Sequence, residues 1–392
     1  MNTADLVVIG GGVVGLTTAL EVARRHPRLR ITVLEKEVSC GAHASGRNSG
    51  VLHAGFYYTA DSLKAKFCRD GNAALSRWCA EQGIPVNRCG KLVVPTREAE
   101  IAPLEELFRR AAANGVAVSR LTEDEARRIE PRIRPIGDVL WSPTTATVDP
   151  VRVLAGLEDE ARRLGVAVRT GVAFTGRRGT TLETSAGPLD AGFAIGAAGL
   201  QADRVAAAWG FAEDYEILPF RGLYWYPDGP ALACCVYPVP DLRLPFLGVH
   251  WTVDALGRAK IGPSALPGAW REQYSGLRRF SAGEFARITR VQLGQLIRDR
   301  AFRGLAWDEI GKWTAKGLLE RAGRLVADPA TSGHWGRVGV RAQLFDRKRR
   351  QLVMDFAVEG DDRSLHVLNA PSPAFTSAWP FAAWLVDRTP LR

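Results

Sequence analysis

The stretch Leu6-Val7-Val8-Ile9-Gly10-Gly11-Gly12-Val13-Val14-Gly15 joins an unbroken apolar run to a glycine-rich turn. Four consecutive apolar residues suit a strand buried on both faces of a parallel sheet. Positions 10, 12 and 15 satisfy G-x-G-x-x-G. Gly10 permits the tight turn, Gly12 lets a pyrophosphate approach the backbone, and Gly15 lets the following helix pack on the strand. Residues 17–25 read as that helix, with Leu16, Ala19, Leu20 and Ala23 on one stripe. The helix N-terminus, with the turn residues Val13 and Val14 before it, offers N–H groups and a positive dipole end to phosphates. A second apolar strand, residues 31–34, ends in Glu35 and Lys36. Glu35 stands twenty residues after Gly15, where it can accept hydrogen bonds from ribose hydroxyls. The glycines alone are a weak signal; with the strand, helix and acid they predict a dinucleotide site. An acid at that place favours an unphosphorylated ribose, as in FAD or NAD, over NADP.

The segment after Glu35 separates FAD from NAD. A nicotinamide dehydrogenase would continue with further βα units. Here the chain enters a small polar loop instead, Ser45-Gly46-Arg47-Asn48-Ser49-Gly50-Val51, then Leu52-His53-Ala54-Gly55 and the pair Tyr57-Tyr58. Residues 193–200 form a late apolar strand ending in Ala197-Ala198-Gly199. Only residues that small leave room for a cofactor beside the backbone.

The rest of the composition narrows the class. The chain has 392 residues, 46% hydrophobic and 24% charged, which excludes disordered, collagen-like and coiled-coil classes. At about 100–200 residues per domain, that length predicts two or three domains or one large interrupted one. The net charge is +10, from 44 Arg and eight Lys against 42 acids. The densest basic run, Arg347-Lys348-Arg349-Arg350, is too short for a nucleic-acid arm, so no nucleic-acid partner is expected. The six cysteines form no C-x-x-C pair, and no metal site is expected. They read as reduced thiols of a cytoplasmic protein. No apolar stretch reaches membrane-spanning length, and the residues before Leu6 do not read as a signal peptide.

In order along the chain, these features resemble the D-amino-acid-oxidase-like FAD oxidoreductases. Within them the chain resembles the L-2-hydroxyglutarate dehydrogenase/oxidase family. The matching segments are residues 46–58 (GRNSGVLHAGFYY), 62–66 (SLKAK), 89–93 (CGKLV), 219–222 (PFRG), 237–252 (YPVPDLRLPFLGVHWT), 339–343 (GVRAQ) and 369–373 (NAPSP). Leu223 replaces the acidic residue that usually comes after PFRG in that family, and Ser264 departs from its Gly-Pro-Asn.

The resemblance implies an α/β architecture, with a Rossmann-like FAD-binding domain interleaved with an α+β substrate domain on a mainly antiparallel sheet. The FAD-binding part is expected at residues 1–85, 145–212 and 335–392, and the substrate part at 86–144 and 213–334. It implies FAD contacts from the glycine turn, Glu35, Lys36, Ser45, Arg47, Asn48, Ser49, Gly50, Val51, Val172, Ala198, Gly199 and Arg341. Ser372, Pro373 and Ala374 should meet the flavin's pyrimidine end, with Ser372 and Ala374 the better N–H donors. The implied activity is oxidation of a 2-hydroxy acid, L-2-hydroxyglutarate-like, to the 2-oxo acid. Oxygen, a quinone or a redox protein would take the electrons, the last two compatible with peripheral membrane contact.

That chemistry needs cations for the substrate carboxylates and a base for the hydroxyl proton. Arg221 and Arg341 are the candidate clamps, because a guanidinium pairs with a carboxylate through two bonds. Lys64 is a further candidate, balanced against a solvated helix face. Tyr57 and Tyr58 are candidate pocket walls. His250, expected to end a strand over residues 246–249, is the favoured base. His53 is a second base, a flavin anchor or a packed histidine. The same frame also admits oxidation of an amino acid or amine, or of a specialised secondary-metabolite alcohol.

Overall fold

The structure, a computed structural model, describes residues 3–241 and 247–391. Phe246 and its neighbours at 242–245, within the 237–252 match, lie outside the described residues. The chain divides into two compact units. The first collects Met1–Asn48, Pro150–Pro219 and Arg341–Arg392; the second collects Ser49–Asp149 and Phe220–Val340.

The first unit is a doubly covered, mainly parallel sheet. Strand β1 (Thr3–Ile9) lies between β2 (Ile31–Glu35) and the strand Leu189–Gly196, parallel to both. Leu6 faces Ile31 on one side and Phe193 on the other. Leu6, Val7 and Val8 are wholly buried, which explains the absence of polar alternation in the sequence. Ala167–Thr170 extends the sheet beyond β2, and Ser364–Asn369 pairs in parallel with Leu189–Gly196. Antiparallel strands Thr181–Thr184 and Phe174–Arg178 finish one edge.

Helix α1 (Val13–Arg25) begins at Val13, earlier than Thr17, because the glycine turn reverses the chain within three residues. Thr17 and Thr18 spend their hydroxyls on the carbonyls of Val13 and Val14 one turn back. The Thr17 hydroxyl also reaches the Ala378 carbonyl at 3.3 Å, where helix Ala378–Val386 covers α1. Arg24 pairs with Glu160 of helix Pro150–Arg163 at 2.6 Å. That helix starts at Pro150. Val148 belongs to the strand Ala146–Val148, and Pro150 supplies the preset φ of a first helical residue.

The second unit is built on an eight-stranded sheet. Its order is Gly333–Trp335, Trp225–Pro227, Ala259–Gly262, His250–Val253, Cys235–Pro238, Lys91–Val94, Val139–Ser142 and Ser119–Leu121. All neighbours are antiparallel except Cys235–Pro238 and Lys91–Val94, which run parallel with Cys235 opposite Lys91. One face buries Leu92, Val94, Val236, Trp251 and Ile261. The other buries Phe56, Tyr57, Val93, Leu104 and Leu107.

Three sequence-based expectations are corrected here. Residues 49–85 belong with the second unit, because Ala54, Phe56 and Tyr57 share a core with Val93, Leu104, Leu107 and Leu140. The other divisions shift by a few residues, to 149/150, 219/220 and 340/341. His250 opens the strand His250–Val253 and does not end one. Helices Ala282–Arg298 and Arg300–Ile310 also belong to the second unit. No helix among the described residues is long and apolar enough to cross a membrane.

Candidate active site

In the first unit, β1 and Leu189–Gly196 end in a backbone approach too close for a side chain. A Cβ on Gly10 would lie 2.4 Å from the Ala197 carbonyl oxygen, and its φ of +119° also demands glycine. A Cβ on Gly15 would lie 1.9 Å from the Gly10 carbonyl oxygen, so only glycine lets α1 sit on the turn. Gly12 caps α1 without a side-chain hydrogen bond, and the Val13 N–H donates to Ser45 Oγ at 3.0 Å. The remaining first-turn N–H groups, Val14's included, have no partner within the helix and point where an anion is favoured.

Glu35 is buried at the end of β2. One carboxylate oxygen accepts the Gly11 N–H and the other the Glu37 N–H, each at 2.9 Å. Each oxygen keeps a second lone pair, so the carboxylate remains able to accept from a hydroxyl. The Val172 N–H donates to the Glu35 carbonyl at 2.9 Å, which places Val172 beside this carboxylate strand. Lys36 is tied by its ammonium to Glu37 and His43. Arg47 donates to the Ala42 carbonyl and Asn48 to the Ser45 carbonyl, folding the polar loop on itself. Ala198 and Gly199 come after the strand at the Gly10 approach, Gly199 with a φ of +52°. These features fit the pyrophosphate and adenosine ribose of FAD.

The C-terminal segment differs from expectation. The Ala374 N–H donates to the Pro371 carbonyl at 2.8 Å, so the turn itself uses the donor expected to serve a cofactor. Pro373 is preceded by a cis peptide and its carbonyl accepts the Ser377 N–H; Ser372 is exposed. Arg341 lies on the strand Gly339–Asp346 of this region, half-buried.

In the second unit, Ser49, Gly50 and Val51 continue the polar loop. The Ser49 carbonyl accepts the buried ammonium of Lys260 at 2.8 Å, and Gly50 accepts the Val148 N–H. The two candidate bases meet around one ring. His250 stacks on Tyr237 at 3.8 Å between centroids with planes 19° apart, and His53 meets Tyr237 edge-on at 6.4 Å. His250 Nδ1 lies 2.7 Å from the Gly248 carbonyl oxygen. A carbonyl can only accept, so Nδ1 carries the hydrogen and the neutral ring keeps its lone pair on Nε2. In this tautomer Nε2 is the nitrogen that can accept a proton. His53 is buried, and burial, with Lys91 and His250 adding to it, holds its pKa well below the ordinary histidine value.

Lys91 was not expected from the sequence. It is fully buried, and its ammonium sits 4.3 Å from the Tyr57 ring centroid, 4.6 Å from Phe56 and 4.9 Å from Tyr237. No hydrogen-bond acceptor meets Lys91 Nζ among the described residues. Aromatic faces stabilise a cation less than water or a carboxylate does, so burial pushes its pKa down to about 7. The sequence signal was a lysine heading the strand Lys91-Leu92-Val93-Val94, every residue of which is buried.

The other candidates of this unit differ in burial. Tyr57 is buried with its hydroxyl unpartnered among the described residues; Tyr58 is half-buried. Lys64 does not lie on a solvated helix face: it is buried in helix Leu63–Glu81, its ammonium 5.5 Å from the Tyr58 ring centroid. Arg221 lies in the strand Tyr215–Gly222, half-buried. No carboxylate pairs with it among the described residues, its Nε has no acceptor, and burial lowers its pKa. A guanidinium held partly out of water without an acid is prepared for an incoming anion.

A glycine-turn βαβ unit, a late strand of small residues and a buried histidine–lysine–tyrosine group together define a flavin-dependent oxidoreductase. The family model for FAD dependent oxidoreductases of the DAO type matches residues 5–388, and the chain belongs to that family, with FAD as its cofactor. It is 34% identical over 394 residues to L-2-hydroxyglutarate dehydrogenase of Escherichia coli K12, spanning 98% of this chain and 92% of that one. It is likewise 34% identical over 421 residues to the mitochondrial L-2-hydroxyglutarate dehydrogenase of Homo sapiens, spanning 100% and 89%. Among solved structures it resembles the FAD-bound L-alpha-glycerophosphate oxidase of Mycoplasma pneumoniae, with TM-score 0.78, 24% identity and 98% and 94% of the two chains covered. The glycine oxidase of Geobacillus kaustophilus shares the fold at TM-score 0.75 and 21% identity, with 99% and 96% covered.

Gly15→Ala should fold with its second unit intact by circular dichroism yet retain little flavin absorbance after incubation with FAD; full flavin content would contradict the cradle. Lys91 binds a proton less readily folded, at about 7, than unfolded, at roughly 10.4, so stability should climb as pH rises through that window. Lys91→Met should therefore raise the melting temperature more at pH 7 than at pH 10; an equal shift at both would refute the buried-lysine account.

Proposed function

We propose that the protein oxidises a 2-hydroxy acid of the L-2-hydroxyglutarate class to the corresponding 2-oxo acid. The observation that carries this reading is the fixed tautomer of His250, whose Nδ1–H is donated to the Gly248 carbonyl, so that the neutral ring carries its lone pair on Nε2. An alcohol, unlike a neutral amine, must lose its hydroxyl proton for its α-hydrogen to leave as hydride. FAD supplies the acceptor for that hydrogen and its electron pair. His250 Nε2 takes the hydroxyl proton, and the stacked Tyr237 ring fixes the imidazole plane. Arg221 pairs with a substrate carboxylate, and Arg341 is assigned to a second anionic group. His53, neutral through its burial, packs behind Tyr237. The kinship with dehydrogenases named for L-2-hydroxyglutarate supports a substrate with two carboxylates.

The reduced enzyme passes its electrons to oxygen, a quinone or a redox protein. Contact with an anionic membrane surface is supported by the helices Ala282–Arg298 and Arg300–Ile310 and the turn after them. Leu293, Ile297, Trp307, Ile310 and Trp313 are exposed there beside exposed Arg287, Arg290, Arg298 and Arg300. Apolar side chains enter the interface while arginines hold lipid phosphates.

The purified flavoprotein should be bleached anaerobically by L-2-hydroxyglutarate and not by amino acids or amines. Bleaching by an amino acid alone would overturn the substrate class. His250→Ala should lower kcat by roughly 10²–10⁴-fold, the usual worth of a positioned base. Unchanged turnover in that variant would remove His250 from the reaction.

A further inference from the structure

The proposed oxidation uses none of the six cysteines, yet two of them face each other directly behind the Lys91 group. Cys89 precedes the strand Lys91–Val94, and Cys235 opens the neighbouring parallel strand Cys235–Pro238. The Sγ atoms lie 3.7 Å apart. Their backbones are fixed nearby: the Cys235 N–H donates to the Gly90 carbonyl at 3.2 Å, and the Gly90 N–H donates to the Thr145 carbonyl at 3.0 Å. Gly90 has a φ of +67°, and a Cβ there would lie 2.1 Å from the Trp141 ring, so the turn that sets Cys89 against Cys235 depends on glycine. Cys89 is partly exposed and Cys235 is wholly buried.

We propose that Cys89 and Cys235 form a reversible disulfide in response to peroxide, and that this bond throttles the enzyme. The two thiols are unequal in the way such a pair requires. The contact with Cys235 holds the Cys89 thiol below its ordinary pKa, whereas the same contact and burial hold Cys235 above it. Burial pushes Cys68 and Cys79 up to about 12, leaving them unreactive. Cys89 is therefore the attacking thiol. Its thiolate sulfur attacks one peroxide oxygen and the O–O bond breaks. Cys89 becomes the sulfenic acid and the first water leaves. The Cys235 sulfur then attacks the Cys89 sulfur, forming S–S and breaking S–O; the hydroxyl takes the Cys235 proton as the second water. Two thiols lose two electrons and the peroxide gains them.

The bond would act on the site through the strands it joins. A disulfide holds its sulfurs about 2.05 Å apart, so the pair must close by roughly 1.7 Å. Cys235 lies opposite Lys91 in register and two residues before Tyr237, the ring on which His250 stacks. Misplacement of catalytic groups by about 1 Å costs about 10²-fold in rate.

The FAD-loaded protein is exposed to hydrogen peroxide, the remaining thiols are alkylated, and the peptides are mapped by mass spectrometry. The expected result is a Cys89–Cys235 linkage, reversed by dithiothreitol, with kcat falling at least tenfold and returning on reduction. Cys89→Ser, a change at a partly exposed position outside the catalytic group, should keep its turnover and lose all response to peroxide. Sulfinic acid on Cys89 without a linkage would overturn the proposal, as would a linkage that leaves kcat unchanged. The peptide map does not depend on the proposed substrate, so its failure and the failure of that assignment are distinguishable.

Discussion

The close approach of Gly10 to the Ala197 carbonyl is the constraint on which the cofactor half depends. Two parallel strands end side by side with no room for a Cβ between them, 2.4 Å being well inside contact. The same turn starts α1 immediately, so the helix N-terminus and the strand ends share one small region. Burying Glu35 beside it would be costly without partners, and the Gly11 and Glu37 N–H groups supply them. The result is a site with positive backbone donors for phosphate and one fixed carboxylate for a ribose.

The second unit solves the opposite problem. It holds a positive charge, Lys91, in a place with aromatic faces and no acid. Such an arrangement costs stability, and proteins retain costs of this kind at working sites. A buried lysine near neutrality, a neutral His53 and a His250 of fixed tautomer make surroundings that disfavour further cations. Arg221, half-buried and without a carboxylate partner among the described residues, favours an anion. The proposed substrate, with two carboxylates, matches that preference.

Much of the first unit was legible in the sequence because its signals are local. The apolar run, three glycines and Glu35 lie within thirty-five residues, and each reports a backbone requirement of its own neighbourhood. Residues 49–85 were misplaced because their allegiance rests on Ala54, Phe56 and Tyr57 packing with Val93, Leu104 and Leu140, contacts across tens of residues that no local pattern carries. Ala374 was read as a donor because the sequence does not show that Pro371 takes its N–H. His250 was visible as a residue and not as a tautomer, since the Gly248 contact is a matter of turn geometry. Lys91 was hidden by the ordinary expectation that a lysine marks an exposed strand end. A lysine leading three apolar β-formers is the local pattern that accompanies its burial here.

The proposed reaction breaks a C–H bond beside a hydroxyl, with His250 taking the hydroxyl proton. The most direct measurement is anaerobic rapid mixing of the FAD-loaded protein with L-2-hydroxyglutarate carrying either hydrogen or deuterium at C2. The account predicts flavin bleaching that slows with deuterium and yields one 2-oxoglutarate per flavin reduced. No bleaching, or bleaching without the 2-oxo acid as product, would contradict it.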